Sequence, residues 1–201
     1  MEVTLPEGFK SGEDNKSPAY LAKFPLGKVP TFESPSGFLL SESVAIAEYV
    51  ARKGSARAQL LGATDEEAVL VRQWMCFNAE HLIITLGELV LWRVGVAVYD
   101  KAKDDKATKD LERWLEYLEG HLGKEGQAWL VMTDGGKKGP SMADLYIAEA
   151  FSWFLKLYMD REMREQYPAV VAWYGRVKDV DGFGELFEVE MIEKREPPSK
   201  A

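Results

Sequence analysis

FPLGKVPTFESPSGFLLSES, residues 24–43, contains two extended apolar stretches, 29–33 and 38–41, joined by Ser34-Pro35-Ser36-Gly37. Each turn residue acts differently: proline presets φ, serine bonds its own backbone, and glycine tolerates positive φ. The two stretches therefore read as an antiparallel hairpin. Glu42-Ser43 follows, and Val44, Ile46, Ala47 and Val50 then share one side of a helix over 43–53. A proline at the mouth of the first strand is unusual because it removes a ladder donor. X-Pro bonds adopt cis at low cost, which makes Val29-Pro30 a candidate cis bond. Taken singly, Pro30 also reads as an ordinary edge or turn proline.

Upstream, Ser17-Pro18 is a helix start with serine as N-cap and proline at the first helical position, and the helix continues over 19–24. Residues 2–5 read as a short strand. Downstream, 54–62 reads as a crossing between domains, and from Thr64 the pattern is helical. Thr64-x-x-Glu67 and Ser141-x-x-Asp144 fit the capping box, which marks Ser141 and Asp144 as structural. Helices are expected at 65–99 with a break near Gly87 or Gly95, at 104–122, at 141–158, and at 161–167 and 169–178 around Pro168. Residues 128–131 read as extended and 135–140 as a loop. The charged end, with Pro197-Pro198, reads as mobile. The fold class is α+β: a small mixed domain over 1–54, an all-helical domain over 62–190 and a tail over 191–201.

Composition narrows the functions. At 201 residues the chain has room for a real core, and 46% hydrophobic residues make it globular. A formal charge of −8 leaves no basic stripe for nucleic acid, so none is expected as a partner. No uninterrupted apolar run reaches membrane-spanning length and the start is not basic, so neither a membrane nor a signal peptide is expected. With Cys76 as its one cysteine the chain forms no internal disulfide, which fits a reducing, cytoplasmic setting. No metal is expected.

The hairpin region has the parts of a peptide site. An extended ligand can pair with the Val29 main chain as an added strand. Ser43 and the free amides of a helix start favour a carboxylate, and Glu42 beside them favours an ammonium. Together they suit the free end of a γ-glutamyl residue. Lys16, next to Asn15, or Lys28 supplies a cation for a carboxylate at the other end, although either lysine also reads as solvated surface. The combined length suits glutathione. Ser43 is expected to serve as N-cap and ligand contact together.

In order and spacing, Asn15-Lys16-Ser17-Pro18, Phe24-Pro25-Leu26-Gly27-Lys28-Val29-Pro30 and Glu42-Ser43-Val44-Ala45-Ile46 resemble cytosolic glutathione transferases. Gly139-Pro140-Ser141-Met142-Ala143-Asp144 looks like their helical-domain capping box. Tyr167-Pro168-Ala169-Val170-Val171-Ala172-Trp173-Tyr174 resembles a late helix of the elongation-factor-1-gamma-like branch. The resemblance implies a thioredoxin-like first domain, here entered at its second strand, and an all-α second domain. It also implies glutathione as co-substrate and a homodimer. In the family, the first strand–helix turn carries the Tyr, Ser or Cys that steadies the thiolate. That unit is not matched by the sequence, so no catalytic residue is carried over.

An enzyme of this kind stabilises the thiolate, because a free thiol with pKa about 8.5 is mostly protonated at neutral pH. Addition to a small hydrophobic electrophile gives conjugation, and reversible addition to an alkene gives cis–trans isomerisation, both compatible with fungal secondary metabolism. The alternative is a non-catalytic elongation-factor-1-gamma domain that scaffolds the translation nucleotide-exchange complex. Trp74, Phe77, Asn78 and His81 are candidates for an electrophile pocket. His81 also reads as an ordinary helix histidine, His121 as structural, and the aromatic set Trp74, Phe77, Trp92, Tyr99, Trp153, Phe154 and Tyr158 as mostly core. Cys76 reads as a buried, inert thiol.

Overall fold

The structure, a computed structural model, describes residues 8–133 and 139–196. The strand expected at 2–5, most of the loop at 135–140 and residues 197–201 lie outside them. The chain divides after Arg57 into two compact units.

In the first unit a single 3-10 turn, Asp14–Lys16, leads into α1 (Pro18–Lys23), where the Ser17 hydroxyl accepts from the Tyr20 amide as the sequence predicts. β1 (Thr31–Glu33) and β2 (Leu39–Ser41) pair antiparallel, with Thr31 opposite Ser41 and Glu33 opposite Leu39. The turn closes through the Ser34 carbonyl, which accepts from the Gly37 amide at 2.9 Å, and the Ser34 hydroxyl, which accepts from the Phe38 amide at 3.0 Å. The first strand is shorter than expected because Val29 and Pro30 stand outside the ladder, and the second because Phe38 belongs to the turn through its bonds with Ser34. α2 (Ser43–Lys53) follows directly.

The second unit is helical. The crossing expected at 54–62 contains a short helix, α3 (Arg57–Leu61). α4 (Asp65–Phe77) starts at Thr64, whose hydroxyl accepts from the Glu67 amide. One π turn (Asn78–Leu82) joins it to α5 (Ile83–Val90). The helix expected to reach 99 stops earlier. Gly95, at φ 76, lets the Val96 amide bond the Leu91 carbonyl at 2.9 Å and its own amide bond that of Trp92 at 3.2 Å. This is a Schellman stop, and Gly87 passes through without a break. α6 (Lys101–Leu122) begins three residues before the expected start, because the Asp100 side chain accepts from the Ala102 and Lys103 amides.

α7 (Met142–Leu157) is buried along most of its length, including Ile147, Phe151 and Phe154. α8 (Arg161–Gln166), α9 (Pro168–Lys178) and α10 (Gly184–Phe187) complete the unit. Glu119 of α6 caps α9 from outside by accepting from the Ala169 and Val170 amides, each at 2.9 Å.

Asp144 is the hub of this core. Its carboxylate accepts from the Ser141 amide (2.8 Å), the Ser141 hydroxyl (2.6 Å), the Leu130 amide (2.7 Å) and Trp173 Nε1 (2.8 Å). Burial pushes its pKa up, and these four donors pull the other way. The same contacts explain why 128–131 is not a strand. The Leu130 amide is taken by Asp144 and its carbonyl by His121 Nε2, at 2.9 Å.

Residues 191–196 make contacts with the helices: the Ile192 amide bonds the Leu155 carbonyl, Arg161 pairs with Glu193, and Arg195 lies 4.4 Å over the Tyr158 ring. One further expectation is corrected. Cys76 is exposed. The buried stripe of α4 and the π turn is Val71, Trp74, Met75 and Asn78, and position 76 falls off that stripe.

Candidate functional site

The first unit holds a shallow cavity of about 100 Å³ lined by Phe24, Leu26, Lys28, Val29, Pro30, Thr31, Ser41, Glu42 and Ser43. Pockets that bury a whole ligand run to roughly 300–1,000 Å³, so this cavity is too small to enclose one. It gathers five of the seven residues named for glutathione: Lys28, Val29, Pro30, Glu42 and Ser43. The Val29-Pro30 bond is cis. Among the described residues nothing bonds the Val29 amide or carbonyl, so both are available to an extended ligand.

Glu42, not Ser43, is the N-cap of α2, and its side chain makes no capping bond. Ser43 is the first helical residue, so its hydroxyl is not used as a cap. The Ile46 amide is the first to find an intrahelical carbonyl, that of Glu42, at 3.0 Å. The amides of Ser43, Val44 and Ala45 thus remain as the orphan donors of a helix N-terminus, the place where an anion is favoured. Glu42 has φ 71, among the described residues a positive value shared only with glycines. Holding a non-glycine residue there is strained, and such strain gathers where ligands bind.

Asn15 and Lys16 do not line the cavity. Asn15 is buried and its Nδ2 donates to the Gly27 carbonyl at 2.7 Å, while its Oδ1 accepts from the Gly12 amide at 2.6 Å. Lys16 Nζ donates to the same Gly27 carbonyl at 2.7 Å. Gly27 has φ 55, and a Cβ there would sit 2.9 Å from the Asn15 carbonyl oxygen, so no side chain fits. Both residues therefore hold Gly27, the residue before Lys28 of the cavity wall. Sequence reasoning missed Tyr20, whose hydroxyl lies 2.9 Å from the Lys28 carbonyl and 2.7 Å from Thr31 Oγ1. Its position one turn after the Ser17-Pro18 cap was the available signal.

The electrophile candidates occupy the second unit. Trp74 is 2% exposed and Asn78 fully buried, its Nδ2 donating to the Tyr146 carbonyl at 3.1 Å, which leaves neither with a surface to offer a substrate. Phe77 and His81 are half-buried and pack on Trp114, at 5.6 and 4.6 Å between ring centres. Trp74 also stacks on Tyr117 and lies 4.9 Å from His121, which is structural as expected. Among the described residues no His, Cys, Asp and Glu group is placed to hold a metal, and no helix is long and apolar enough to cross a membrane.

Two family models match the chain: the glutathione S-transferase N-terminal domain over residues 3–52 and the C-terminal domain over 84–176. The chain is 42% identical over 188 residues to a glutathione S-transferase-like protein of Aspergillus aculeatus, covering 93% of this chain and 86% of that one. It is 31% identical over 193 residues to elongation factor 1-gamma of Danio rerio, covering 96% of this chain but 41% of that protein. Its fold matches the glutathione transferase-like domain of Saccharomyces cerevisiae elongation factor 1-gamma with TM-score 0.78 and 26% identity, over 90% of this chain and 83% of that one. The chain belongs to the glutathione S-transferase family, with a thioredoxin-like first domain and a helical second domain.

Proposed function

We propose that this protein is a glutathione-dependent transferase whose cavity receives the γ-glutamyl end of the tripeptide. The observation that carries the reading is the convergence of Lys28, Val29, Glu42 and Ser43 on one cavity. The ligand's α-carboxylate meets the Ser43 hydroxyl and the orphan amides of α2, its ammonium meets Glu42, and its backbone pairs with Val29. Anchoring the peptide places its sulfur for attack on a small hydrophobic electrophile, where proximity and a stabilised thiolate supply the rate. Conjugation is the outcome when the adduct stays, and cis–trans isomerisation when it leaves again. The test is thiol consumption with a panel of aryl halides and conjugated enones. A glutathione-dependent rate above the uncatalysed one supports the reading, and none across the panel counts against it.

The working form we propose is a cytoplasmic homodimer. Phe38 and Leu39 are exposed on the hairpin, as are Val69 and Leu70 on α4, and isologous contact is the common way to cover such residues. A monomer mass by light scattering at micromolar concentration contradicts it. The second reading, a scaffold for translation elongation, draws on the fold match to the elongation factor domain. It predicts capture of exchange-factor subunits with no thiol chemistry.

A further inference from the structure

We propose that Tyr20 is a positioning residue for the cavity, acting through the carbonyl of Lys28 and the hydroxyl of Thr31. The proposal rests on the glutathione reading above and adds to it a residue that does not itself line the site.

The proton count fixes the direction of the bonds. The Lys28 carbonyl can only accept, so the phenol proton goes there, across 2.9 Å. The phenol oxygen then accepts from Thr31 Oγ1 at 2.7 Å. The relay therefore runs from Thr31 through Tyr20 to Lys28. It spans Val29-Pro30, joining the residues on either side of that pair, and all four line the cavity. With its one proton committed, Thr31 Oγ1 keeps only lone pairs, so a ligand group reaching it finds an acceptor. The Tyr20 ring is set by neighbours, at 6.2 Å from Phe9 and 5.2 Å from Phe24 between centres, and Phe24 is buried.

Asn15 and Lys16 hold Gly27, one residue before the relay begins. The segment from 27 to 31 is thus pinned by three side chains from the 3-10 turn and α1. Of these, Tyr20 fixes the part that carries Val29, whose unclaimed amide and carbonyl serve the ligand only if held in place.

Tyr20→Phe keeps the ring and deletes only the relay. Glutathione affinity by calorimetry should fall about 3- to 10-fold, with the melting temperature nearly unchanged, and the ladder amides of 31–33 should exchange hydrogen faster. Thr31→Val should do the same, and Thr31→Ser, which restores the hydroxyl, should recover most of the loss. The double variant Tyr20→Phe/Thr31→Val should bind no more weakly than the worse single one, as expected for two ends of one relay. Unchanged affinity and unchanged exchange in Tyr20→Phe overturn the proposal, as does full additivity in the double variant. If Tyr20→Phe does not fold, Thr31→Val and Thr31→Ser decide alone. If the unmodified protein binds no glutathione, the functional reading falls, and the exchange of 31–33 still decides whether Tyr20 positions the loop.

Discussion

The units on either side of Arg57 are held by different means. In the second, Trp173, Tyr158, Tyr174, Phe151 and Phe154 are fully buried, and Trp173 donates to Asp144. In the first, the described apolar side chains that are buried are Phe24 and Ala51, each still 7% exposed, while Leu26, Val29, Phe38 and Leu39 stay exposed. Shape in the first unit comes from point contacts: Asn15 and Lys16 on Gly27, Tyr20 on Lys28 and Thr31, and Ser34 across its own turn. The contrast separates stability from recognition. Changes in the helical core should cost folding, and changes at the cavity should cost binding with little effect on melting.

The largest expected effect tests the first half of that statement. Asp144→Ala leaves the Leu130 amide, the Ser141 amide and Trp173 Nε1 buried without their acceptor. At roughly 1–3 kcal/mol per orphaned group, the loss should reach at least about 3 kcal/mol in urea unfolding. A loss under 1 kcal/mol breaks the picture of Asp144 as the hub.

Ser43→Ala tests the second half. It should cost about 1.5–3 kcal/mol of glutathione binding, the range of a charge-assisted hydrogen bond, and the loss should shrink in high salt because the site is open to solvent. Melting should stay within a degree or two, since this hydroxyl makes no bond among the described residues. A comparable drop in stability would erase the division of labour between the units.

Glu42→Gly sharpens the comparison because its two effects have opposite signs. Glycine accepts φ 71 without strain, so stability should rise by about 1 kcal/mol, and loss of the carboxylate should weaken glutathione binding. Unfolding in urea and a glutathione titration on the same sample measure both. A fall in stability means the strained conformation is not a local cost.

The last effect appears only at high pH. Burial pushes the Tyr174 phenol up to about 12, and its hydroxyl donates to the Phe187 carbonyl at 2.8 Å. An unfolded tyrosine titrates near ~10. The native state therefore holds its proton longer, and this contribution is complete below about pH 10 and lost as pH rises toward 12. Tyrosinate absorbance and helical circular dichroism followed together should show a late-titrating class that ionises as helix is lost. In Tyr174→Phe the alkaline loss should be smaller.

Legibility followed the same division. The hairpin, the Ser17 cap, the Ser141–Asp144 box and the cavity residues 28–30 and 42–43 could be read because each depends on neighbours in sequence. The bonds of Asn15 and Lys16 to the Gly27 carbonyl were not legible, because a sequence shows an amide and a cation but not the distant carbonyl that engages them. Exposure of Cys76 was hidden because Trp74, Met75 and Phe77 around it are apolar, and only the phase of the helix separates it from them. The exact end of α5 and the non-strand at 128–131 depended on bonds to Leu91, Asp144 and His121, which local pattern does not reveal.

The central claim is that the hairpin-side cavity binds glutathione. Calorimetric titration of the 201-residue chain with reduced glutathione at low salt tests it most directly. The expected result is a saturable one-site isotherm at or below millimolar ligand, weakened at least tenfold in Ser43→Ala. A folded protein that yields no glutathione heat at millimolar concentration contradicts it.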